Sequence, residues 1–306
     1  MNRGDKVKIL LQFPEGLRTK ALEIAKKLEE KGNIVLISIE PCYGACDLRI
    51  NEAKMLKCDK IVHLAHTRFL KTDIPVEYIE LKENFDLSPL LKNLDEINFE
   101  KIGIVASLQF VDAINKVKKY LESKGKKVFV GDGENNEKFL YPGQVLGCDF
   151  SQALKIADKV ECFIVISSGK FHALGVALKT KKPVFLLNVE KGKLEKIDTE
   201  EFIKRKIIAQ ELAKECKKIG IIVSTKPGQE NIELAINLKR KIEEKGKQAY
   251  ILVADEIKPE KVKYLGIECL INTACPRIAI EERHLFPIPI LNPDEFEEIL
   301  QSNSNI

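Results

Sequence analysis

The side chains best suited to chemistry in this 306-residue sequence are its eight cysteines. Four of them lie in polar loops: Cys42 and Cys46 in PCYGACD, Cys148 in YPGQVLGCD, and Cys275 in NTACPR. Cys46 and Cys148 are each followed by an aspartate. In a reducing compartment such thiols are buried, catalytic or metal-binding rather than disulfide-bonded. These loop positions therefore favour a reactive or metal-ligating role.

The other four cysteines are predicted to be packing thiols. Cys162 and Cys269 each follow a glutamate at the start of an apolar run, and Cys58 occupies a similar place. Cys216 lies in the lysine-rich segment AKECKK, as a surface or packing residue. Chemistry in an open α/β sheet lies beyond the carboxyl ends of the strands, so the start of a strand is the wrong end for it.

The elements that must position the loop thiols form an internal repeat. Three segments begin with VKILLQFPEGL, KIGIVASLQF and KIGIIVSTKPGQ, and each continues into an amphipathic helix that ends in Lys-Gly and then a second strand. Val7–Leu11, Ile102–Ala106 and Ile219–Val223 are short apolar runs rich in β-branched residues. Such runs are typical of parallel strands that are covered on both faces.

The helices of this repeat carry recognisable faces and ends. In the first helix one apolar face is formed by Leu17, Ala21, Ile24, Ala25 and Leu28. Gly32, Gly125 and Gly246 stand where a left-handed residue ends a helix. Strand, helix and parallel strand at this spacing form the βαβ unit.

The second half of each repeat predicts a short helix, a buried strand and a closing strand (IPVEYIEL, KPVFLLNV and FPIPILNP). We therefore predict an α/β fold of three homologous Rossmann-like domains with parallel sheets around a central site. The predicted domains are 1–97 with Cys46, 98–205 with Cys148 and 206–306 with Cys275. The stretch Glu190 to Lys218 is predicted to be a charged linker helix.

If the three units surround one axis, three thiols from distant parts of the chain converge. Three thiolates suit zinc with a histidine as fourth ligand, or a [4Fe–4S] cluster that keeps one iron open. Three unrelated loop thiols are the remaining alternative, and the sequence contains no CxxC pair that would indicate a zinc knuckle.

The amino-acid composition limits the kinds of partner that this protein is expected to bind. With 50 Lys and Arg against 46 Asp and Glu, the net charge is +4, which is too balanced to indicate a nucleic-acid surface. No apolar run approaches the ~20 residues that span a bilayer. The start, MNRGDKVKILLQFPEG, breaks at Pro and Glu after a short apolar run and does not read as a secretory signal. We expect a cytoplasmic protein without membrane or nucleic-acid partners.

Five motifs in order, PCYGACD, KCDKIVHLAHT, YPGQVLGCDFS, SSGKFHALGVAL and TACPRIAIEE, closely resemble the archaeal 2-(3-amino-3-carboxypropyl)histidine synthase family of diphthamide biosynthesis. The resemblance runs over nearly the whole chain. It implies a homodimer, and in each chain three homologous domains around a central [4Fe–4S] cluster. The implied ligands are Cys46, Cys148 and Cys275, and the role of Cys42 stays open.

The resemblance also implies an activity. The family's cluster binds S-adenosylmethionine and cleaves it reductively on the aminocarboxypropyl side, and the resulting radical adds to C2 of a histidine imidazole in translation elongation factor 2. The C2 carbon is a poor nucleophile, so a radical route avoids alkylation at nitrogen. The CxxxCxxC loop of ordinary radical enzymes is absent from this sequence.

Further residues are candidates for binding S-adenosylmethionine. Arg277, two residues after Cys275, would clamp the methionine carboxylate through two hydrogen bonds. Gln229 ends the loop STKPGQ, whose glycine permits close approach of the backbone to a ligand. His172 and His66 follow the third strands of their units and are candidates for substrate contact. The alternatives are an ordinary surface arginine, a plain turn and two structural histidines.

Two other function classes stay open at this point. Quinolinate synthase also places three α/β domains and three cysteines around a cluster, as a lyase and condensing enzyme, although PCYGACD and TACPRIAIEE favour the first reading. An accessory binding subunit, stabilised by zinc or metal-free, is the non-enzymatic alternative. The presence of all three cysteines argues against it. Neither His63 nor His284 carries a usable signal.

Overall fold

The computed structural model describes residues 6–82, 85–135 and 138–302. Residues 1–5, the beginning of the segment predicted not to be a secretory signal, lie outside this range. The chain divides between Asp198 and Thr199 into two compact units, which are described in turn.

The first unit contains two sheets, and the first of them is fully parallel. Its strands and helices are β1 (Lys8–Gln12), α1 (Arg18–Glu29), β2 (Ile34–Ile37), α2 (Ile50–Met55), β3 (Lys60–Leu64) and β4 (Val76–Ile79). The strand order is β2-β1-β3-β4. This sheet carries the loop of Cys42 and Cys46 between β2 and α2.

Both faces of this first sheet are covered. Ile9 and Leu11 of β1 pack in the cluster that contains α1, whereas Leu10 between them packs in the cluster that contains Ala53 of α2. Successive strand side chains point to opposite faces, so a run without polar residues can be buried on both sides. Each such leucine or isoleucine contributes about 1.5–3 kcal/mol on burial.

The second sheet of this unit has five strands. The elements are α3 (Ser88–Leu91), β5 (Lys101–Ala106), α4 (Ile114–Ser123), β6 (Lys127–Phe129), β7 (Glu134–Asn135), β8 (Phe139–Leu140), α5 (Ser151–Leu154), β9 (Cys162–Ser167), α6 (Lys170–Thr180), β10 (Val184–Asn188) and β11 (Lys193–Lys196). The order is β11-β10-β9-β5-β6, parallel except for β11, while β7 and β8 pair as a separate hairpin.

The second unit contains the third sheet. Its elements are α7 (Glu200–Glu215), β12 (Lys218–Ser224), α8 (Ile232–Glu244), β13 (Gln248–Ala254), α9 (Pro259–Val262), β14 (Cys269–Asn272), α10 (Arg277–Ile280), β15 (Ile290–Leu291) and α11 (Pro293–Ser302). The order β13-β12-β14-β15 is parallel throughout. Short 3₁₀ turns complete the chain at Glu15–Leu17, Lys92–Glu96, Leu108–Ala113, Ala157–Lys159 and Arg283–Leu285.

The internal repeat is confirmed by strand order. In every sheet the first strand of the repeat lies between the second and the third, and the fourth lies next to the third; in the second sheet β11 is added outside the fourth. The predicted α/β class with three parallel-dominated sheets is therefore confirmed over the described residues.

The predicted helix ends and faces are also confirmed. Ala21, Ala25 and Leu28 of α1 are buried against β1 and β3. Lys-Gly ends three helices, and Gly32, Gly125 and Gly246 all have positive φ, at 88°, 81° and 75°. A glycine reaches this left-handed conformation without the clash that a Cβ would cause.

The prediction for Glu190 to Lys218 is wrong in its first part. Lys193–Lys196 forms the antiparallel edge strand β11, which pairs with β10 through Leu187 and Leu194, and the helix begins only at Glu200. Pairing satisfies backbone groups that the edge of β10 would otherwise expose. The predicted boundary at 205/206 falls inside α7, whose Ala209 and Ala213 pack with the core of the third sheet.

One glycine inside a central strand is required because a side chain of the neighbouring strand fills the space that a Cβ would need. Gly103 of β5 lies opposite Phe163 of β9 in the parallel register. A Cβ added at Gly103 would stand 2.6 Å from the Phe163 ring. The ring, which is fully buried, has no room to retreat. Glycine is therefore present here for packing rather than for backbone conformation.

We expect the Gly103→Ala substitution to lower the free energy of unfolding by about 1–3 kcal/mol, because it overpacks the core. Denaturant unfolding followed by circular dichroism measures this change. Gly16→Ala is the matched control, since Gly16 has open space around it, and its effect should stay within about 0.5 kcal/mol. Equal effects of the two substitutions would contradict the packing argument.

Candidate functional site

The three thiols predicted as ligands all lie in loops outside regular structure. Cys46 lies between β2 and α2, Cys148 between β8 and α5, and Cys275 between β14 and α10. Cys148 is exposed, and Cys46 and Cys275 are half-buried. The loop of Cys148 follows the hairpin of β7 and β8, which the sequence did not predict.

Three of the four predicted packing thiols are more deeply buried than these loop thiols. Cys162 and Cys269 are 0% exposed and lie in the cores of the second and third sheets, as predicted. Cys216 is also buried, and Cys58 is half-buried against the first sheet. Burial raises the pKa of Cys162 to about 12 and raises that of Cys269 further. Cys162 and Cys269 are therefore protonated and inaccessible.

Two of the loop thiols are each followed by an aspartate that holds the loop in place. Asp149 accepts a hydrogen bond from Ser151 N (3.0 Å) and pairs with Lys138 Nζ (3.0 Å). Although burial opposes ionisation, these hydrogen bonds lower the pKa of Asp149. Asp47, beside Cys46, is fully buried and lies 3.8 Å from the Arg49 guanidinium. Both loops are thus anchored by an acidic side chain, which limits where the neighbouring thiol can move.

Loops of the first and second sheets touch one another within the first unit. Gln109 Nε2, after β5, donates to Ala65 O, after β3, at 3.2 Å. Gln144 Nε2, four residues before Cys148, donates to Thr67 Oγ1 at 3.3 Å. Tyr141 Oη donates to Glu80 Oε2 at 2.7 Å. Side chains that follow the strands of two sheets are therefore brought to one region.

In the second unit the loops of Gln229 and Cys275 are joined. Asn231 Nδ2 donates to Thr273 O at 2.7 Å, which ties the loop after β12 to the loop after β14. Gln229 itself is buried. Arg277 begins α10, and its Nε and Nη2 both donate to Glu281 Oε2, at 2.9 and 2.7 Å. The residues expected to contact S-adenosylmethionine in this unit therefore lie in adjoining loops.

The two remaining histidine candidates lie in the first unit. His172, in the first turn of α6, has its Nδ1 3.4 Å from Ser167 Oγ at the end of β9. His66 lies just beyond β3, half-buried, with its Nδ1 2.9 Å from His63 Nε2. Both follow third strands, which is the position that the repeat predicts.

The sequence reasoning missed a group of three side chains. Ligand atoms of Cys42, His63 and His66 all lie within 4.8 Å of one another. Cys42 and His63 are buried, and His66 is half-buried. The His-x-x-His spacing across the end of a buried strand is the signal in the sequence. That spacing does not by itself indicate the group, because the contact with Cys42 depends on how the PCYGACD loop folds.

The donor set of the strand-end loops fits an iron–sulfur cluster. Cys thiolates are the usual ligands of [4Fe–4S] clusters, and of the four loop cysteines Cys46, Cys148 and Cys275 are the three that are not buried. Three protein ligands leave a coordination position for another molecule. These features define a class: an α/β protein of repeated parallel sheets that carries accessible cysteines in loops outside its sheets.

Within that class, the diphthamide synthesis protein family matches residues 13–306. The chain belongs to this family.

Two relatives carry the same enzyme name. The 2-(3-amino-3-carboxypropyl)histidine synthase of Pyrococcus horikoshii is 33% identical over 297 residues, which is 96% of this chain and 85% of that protein. The enzyme of the same name from Methanocaldococcus jannaschii is 31% identical over 97% of this chain and 85% of its own length. The family match does not support the quinolinate-synthase-like reading.

A solved structure extends the comparison to three dimensions. Dph2 from Pyrococcus horikoshii with a 4Fe-4S cluster has a TM-score of 0.89 and 32% identity, covering 97% of this chain and 87% of that one. The fold of this protein is therefore that of Dph2. Among the residues described here, no helix is both long enough and apolar enough to cross a membrane.

We expect the thiols of the metal-free protein to differ sharply in alkylation rate. Cys148, exposed in its loop, should react first with iodoacetamide at mildly alkaline pH. Cys162 and Cys269 should react only after unfolding, because burial keeps them protonated and covered. Pulsed labelling with peptide mass spectrometry measures the order. Labelling of Cys162 at the rate of Cys148 would show that the second sheet is not packed as described.

Proposed function

We propose that this chain transfers the 3-amino-3-carboxypropyl group of S-adenosylmethionine to C2 of a histidine imidazole in translation elongation factor 2, the first step of diphthamide biosynthesis. The observation that carries the proposal is the similarity over almost the whole chain to 2-(3-amino-3-carboxypropyl)histidine synthases and to the cluster-containing Dph2. The proposed mechanism is a radical one.

In this proposal Cys46, Cys148 and Cys275 hold a [4Fe–4S] cluster. Their accessibility and their loops beyond strand ends support the assignment. When it is bound, the cluster supplies the electron that a reductive cleavage of the sulfonium needs. The protein's part is to hold the thiols and the substrates in place.

The protein's own side chains then position the reactants. Arg277 is proposed to hold the methionine carboxylate and Gln229 to line the same pocket, which the link between their loops through Asn231 supports. His172 is proposed as a further contact to S-adenosylmethionine. The side-chain amides of half-buried Gln109 and buried Gln144 limit loop motion in the first unit, so positions beside Cys148 are held before substrate arrives.

The proposed partners follow from the same similarity to 2-(3-amino-3-carboxypropyl)histidine synthases. We propose a homodimer that acts on elongation factor 2 in the cytoplasm. The near-neutral charge of +4 gives no reason to add a nucleic-acid partner.

The deciding experiment is anaerobic purification, determination of iron and sulfide, and reaction with S-adenosylmethionine, a reductant and elongation factor 2. We expect bound iron and sulfide, methylthioadenosine as the co-product and a modified histidine on the factor. Formation of 5′-deoxyadenosine instead would indicate conventional radical chemistry. A colourless protein that holds zinc but no iron would refute the proposal.

We expect Cys46→Ser, Cys148→Ser and Cys275→Ser each to reduce the iron content and to abolish methylthioadenosine formation, because an alcohol is a far poorer iron ligand than a thiolate. Cys58→Ser is the control, since Cys58 lies at the opposite end of its sheet, before β3. Full cluster content and activity in any of the three variants would remove that cysteine from the ligand set.

Arg277→Lys should raise KM for S-adenosylmethionine about tenfold, equivalent to about 1.4 kcal/mol, because lysine cannot form the paired hydrogen bonds of a guanidinium with a carboxylate. The cluster spectrum should be unchanged, since Arg277 is no proposed ligand. Steady-state kinetics of methylthioadenosine release provides the measurement. An unaltered KM would place Arg277 outside the binding pocket and leave its bond to Glu281 as its role.

A further inference from the structure

The first unit contains a second group of metal-ligating side chains, separate from the three proposed cluster cysteines. The Cys42 thiol, the His63 ring and the His66 ring place ligand atoms within 4.8 Å of one another. The two histidines lie at the end of β3 and just beyond it, and Cys42 comes from the loop after β2. The group thus comes from β3 and from the loop after β2, the two strands that flank β1 in one sheet.

The backbone brings the two histidine rings together, with their centroids 5.0 Å apart and their planes tilted by 37°. Ala65, between the two histidines, has φ of +66°, a left-handed conformation that costs roughly 1–2 kcal/mol for a residue other than glycine. Its N–H donates to Ile79 O at 2.8 Å and its O accepts from Gln109. These bonds hold the turn that sets His66 Nδ1 2.9 Å from His63 Nε2.

Hydrogen bonds determine which nitrogen of His63 can bind a metal. Gln12 Nε2 donates to Asp47 O at 2.5 Å, and Gln12 Oε1 accepts from Arg49 N at 3.2 Å. The Gln12 oxygen therefore also faces His63 Nδ1, 3.3 Å away, as an acceptor. His63 Nδ1 must carry the proton, which leaves a lone pair on Nε2. Metal-bound histidines commonly donate their second ring N–H to a carbonyl or carboxylate oxygen in this way.

We propose that Cys42, His63 and His66 bind a zinc ion through one sulfur and two nitrogens. Tetrahedral zinc, with bonds of about 2.0–2.3 Å, holds its ligand atoms roughly 3.3–3.6 Å apart. For zinc to bind, the 2.9 Å contact between His63 Nε2 and His66 Nδ1 must open, and the ligand atoms, all within 4.8 Å of one another, must adjust to this spacing. Three protein ligands leave the fourth position for water, as in zinc sites that are open to solvent.

The surroundings favour zinc over copper. Two histidines and one cysteine also form blue-copper sites, but those add a weak axial ligand, usually methionine. Met55, the one methionine in the described part of the chain, is 75% exposed on α2. Zinc needs no such ligand.

The protonation of the group agrees with this assignment. Burial lowers the pKa of His63 to about 3 and that of His66 to about 4, so both rings are neutral and keep a lone pair. Burial, with a contribution from Asp47, raises the pKa of Cys42 to about 12. A bound dication reverses that effect, because it stabilises the thiolate directly.

The test must separate this site from the proposed cluster ligands, because Cys42 shares its loop with Cys46. The full-length protein, purified without oxygen, is supplied with zinc sulfate, desalted and analysed for zinc and iron. We expect about one zinc per chain in addition to any iron. A triple Cys46→Ala, Cys148→Ala, Cys275→Ala variant should keep its zinc, whereas Cys42→Ala and His66→Ala should lose it and keep the iron.

Two control variants carry the same residue changes elsewhere: Cys58→Ala and His284→Ala, the latter in an exposed position. Both should retain zinc. Circular dichroism melts identify any variant that fails to fold, and for such a case the wild type is loaded with cobalt chloride. Tetrahedral cobalt with one thiolate gives d–d bands and a sulfur-to-metal charge-transfer band, and X-ray absorption at the zinc edge should report one sulfur and two or three lighter atoms.

Three outcomes would overturn the proposal. The first is that wild-type protein holds no zinc after loading, which would mean that His63 and His66 form only a hydrogen-bonded pair. The second is zinc that disappears in the triple variant and persists in Cys42→Ala, which places the metal on the cluster cysteines. The third is a zinc edge that reports three or four sulfurs. None of these outcomes bears on methylthioadenosine formation, so the two proposals fail or succeed separately.

Discussion

The burial of parallel strands on both faces is the constraint from which the rest of this structure follows. A parallel strand satisfies its backbone groups only when it has neighbours, and its apolar side chains are removed from water only when helices cover both faces. In β1 the alternation of Ile9, Leu10 and Leu11 between two cores shows this directly. Side chains with chemistry therefore lie at the carboxyl ends of the strands, as His63 does in β3, or in the loops that leave them.

The loops in turn are held by buried amides and carboxylates. Gln12 joins the loop of Asp47 to His63, and Gln144 joins the loop before Cys148 to Thr67. A buried polar group without a partner costs about 1–3 kcal/mol, so each of these amides tolerates few loop positions. This is how a protein positions thiols in segments that have no regular structure of their own.

Much of the fold was predictable because local signals and global packing agree. The strands of each repeat, the Lys-Gly helix ends and the division between core and loop cysteines all follow from apolar periodicity and from the special conformation of glycine. The predictions failed where local signals are weak. Lys193–Lys196 is a charged segment that forms a strand only through its pairing with β10. The strands β7 and β8 of the hairpin are each only two residues long.

The sequence by itself determined the three-fold repeat, the α/β class, the family resemblance and the identity of the loop cysteines, because these depend on periodicity and on residues near one another in the chain. The tertiary structure decided which side chains meet. Cys42 and His63 are 21 positions apart and carried no joint signal, yet the return of the chain from β2 to β3 places them together. Contacts between loops depend on how each loop leaves its strand, which no local pattern encodes.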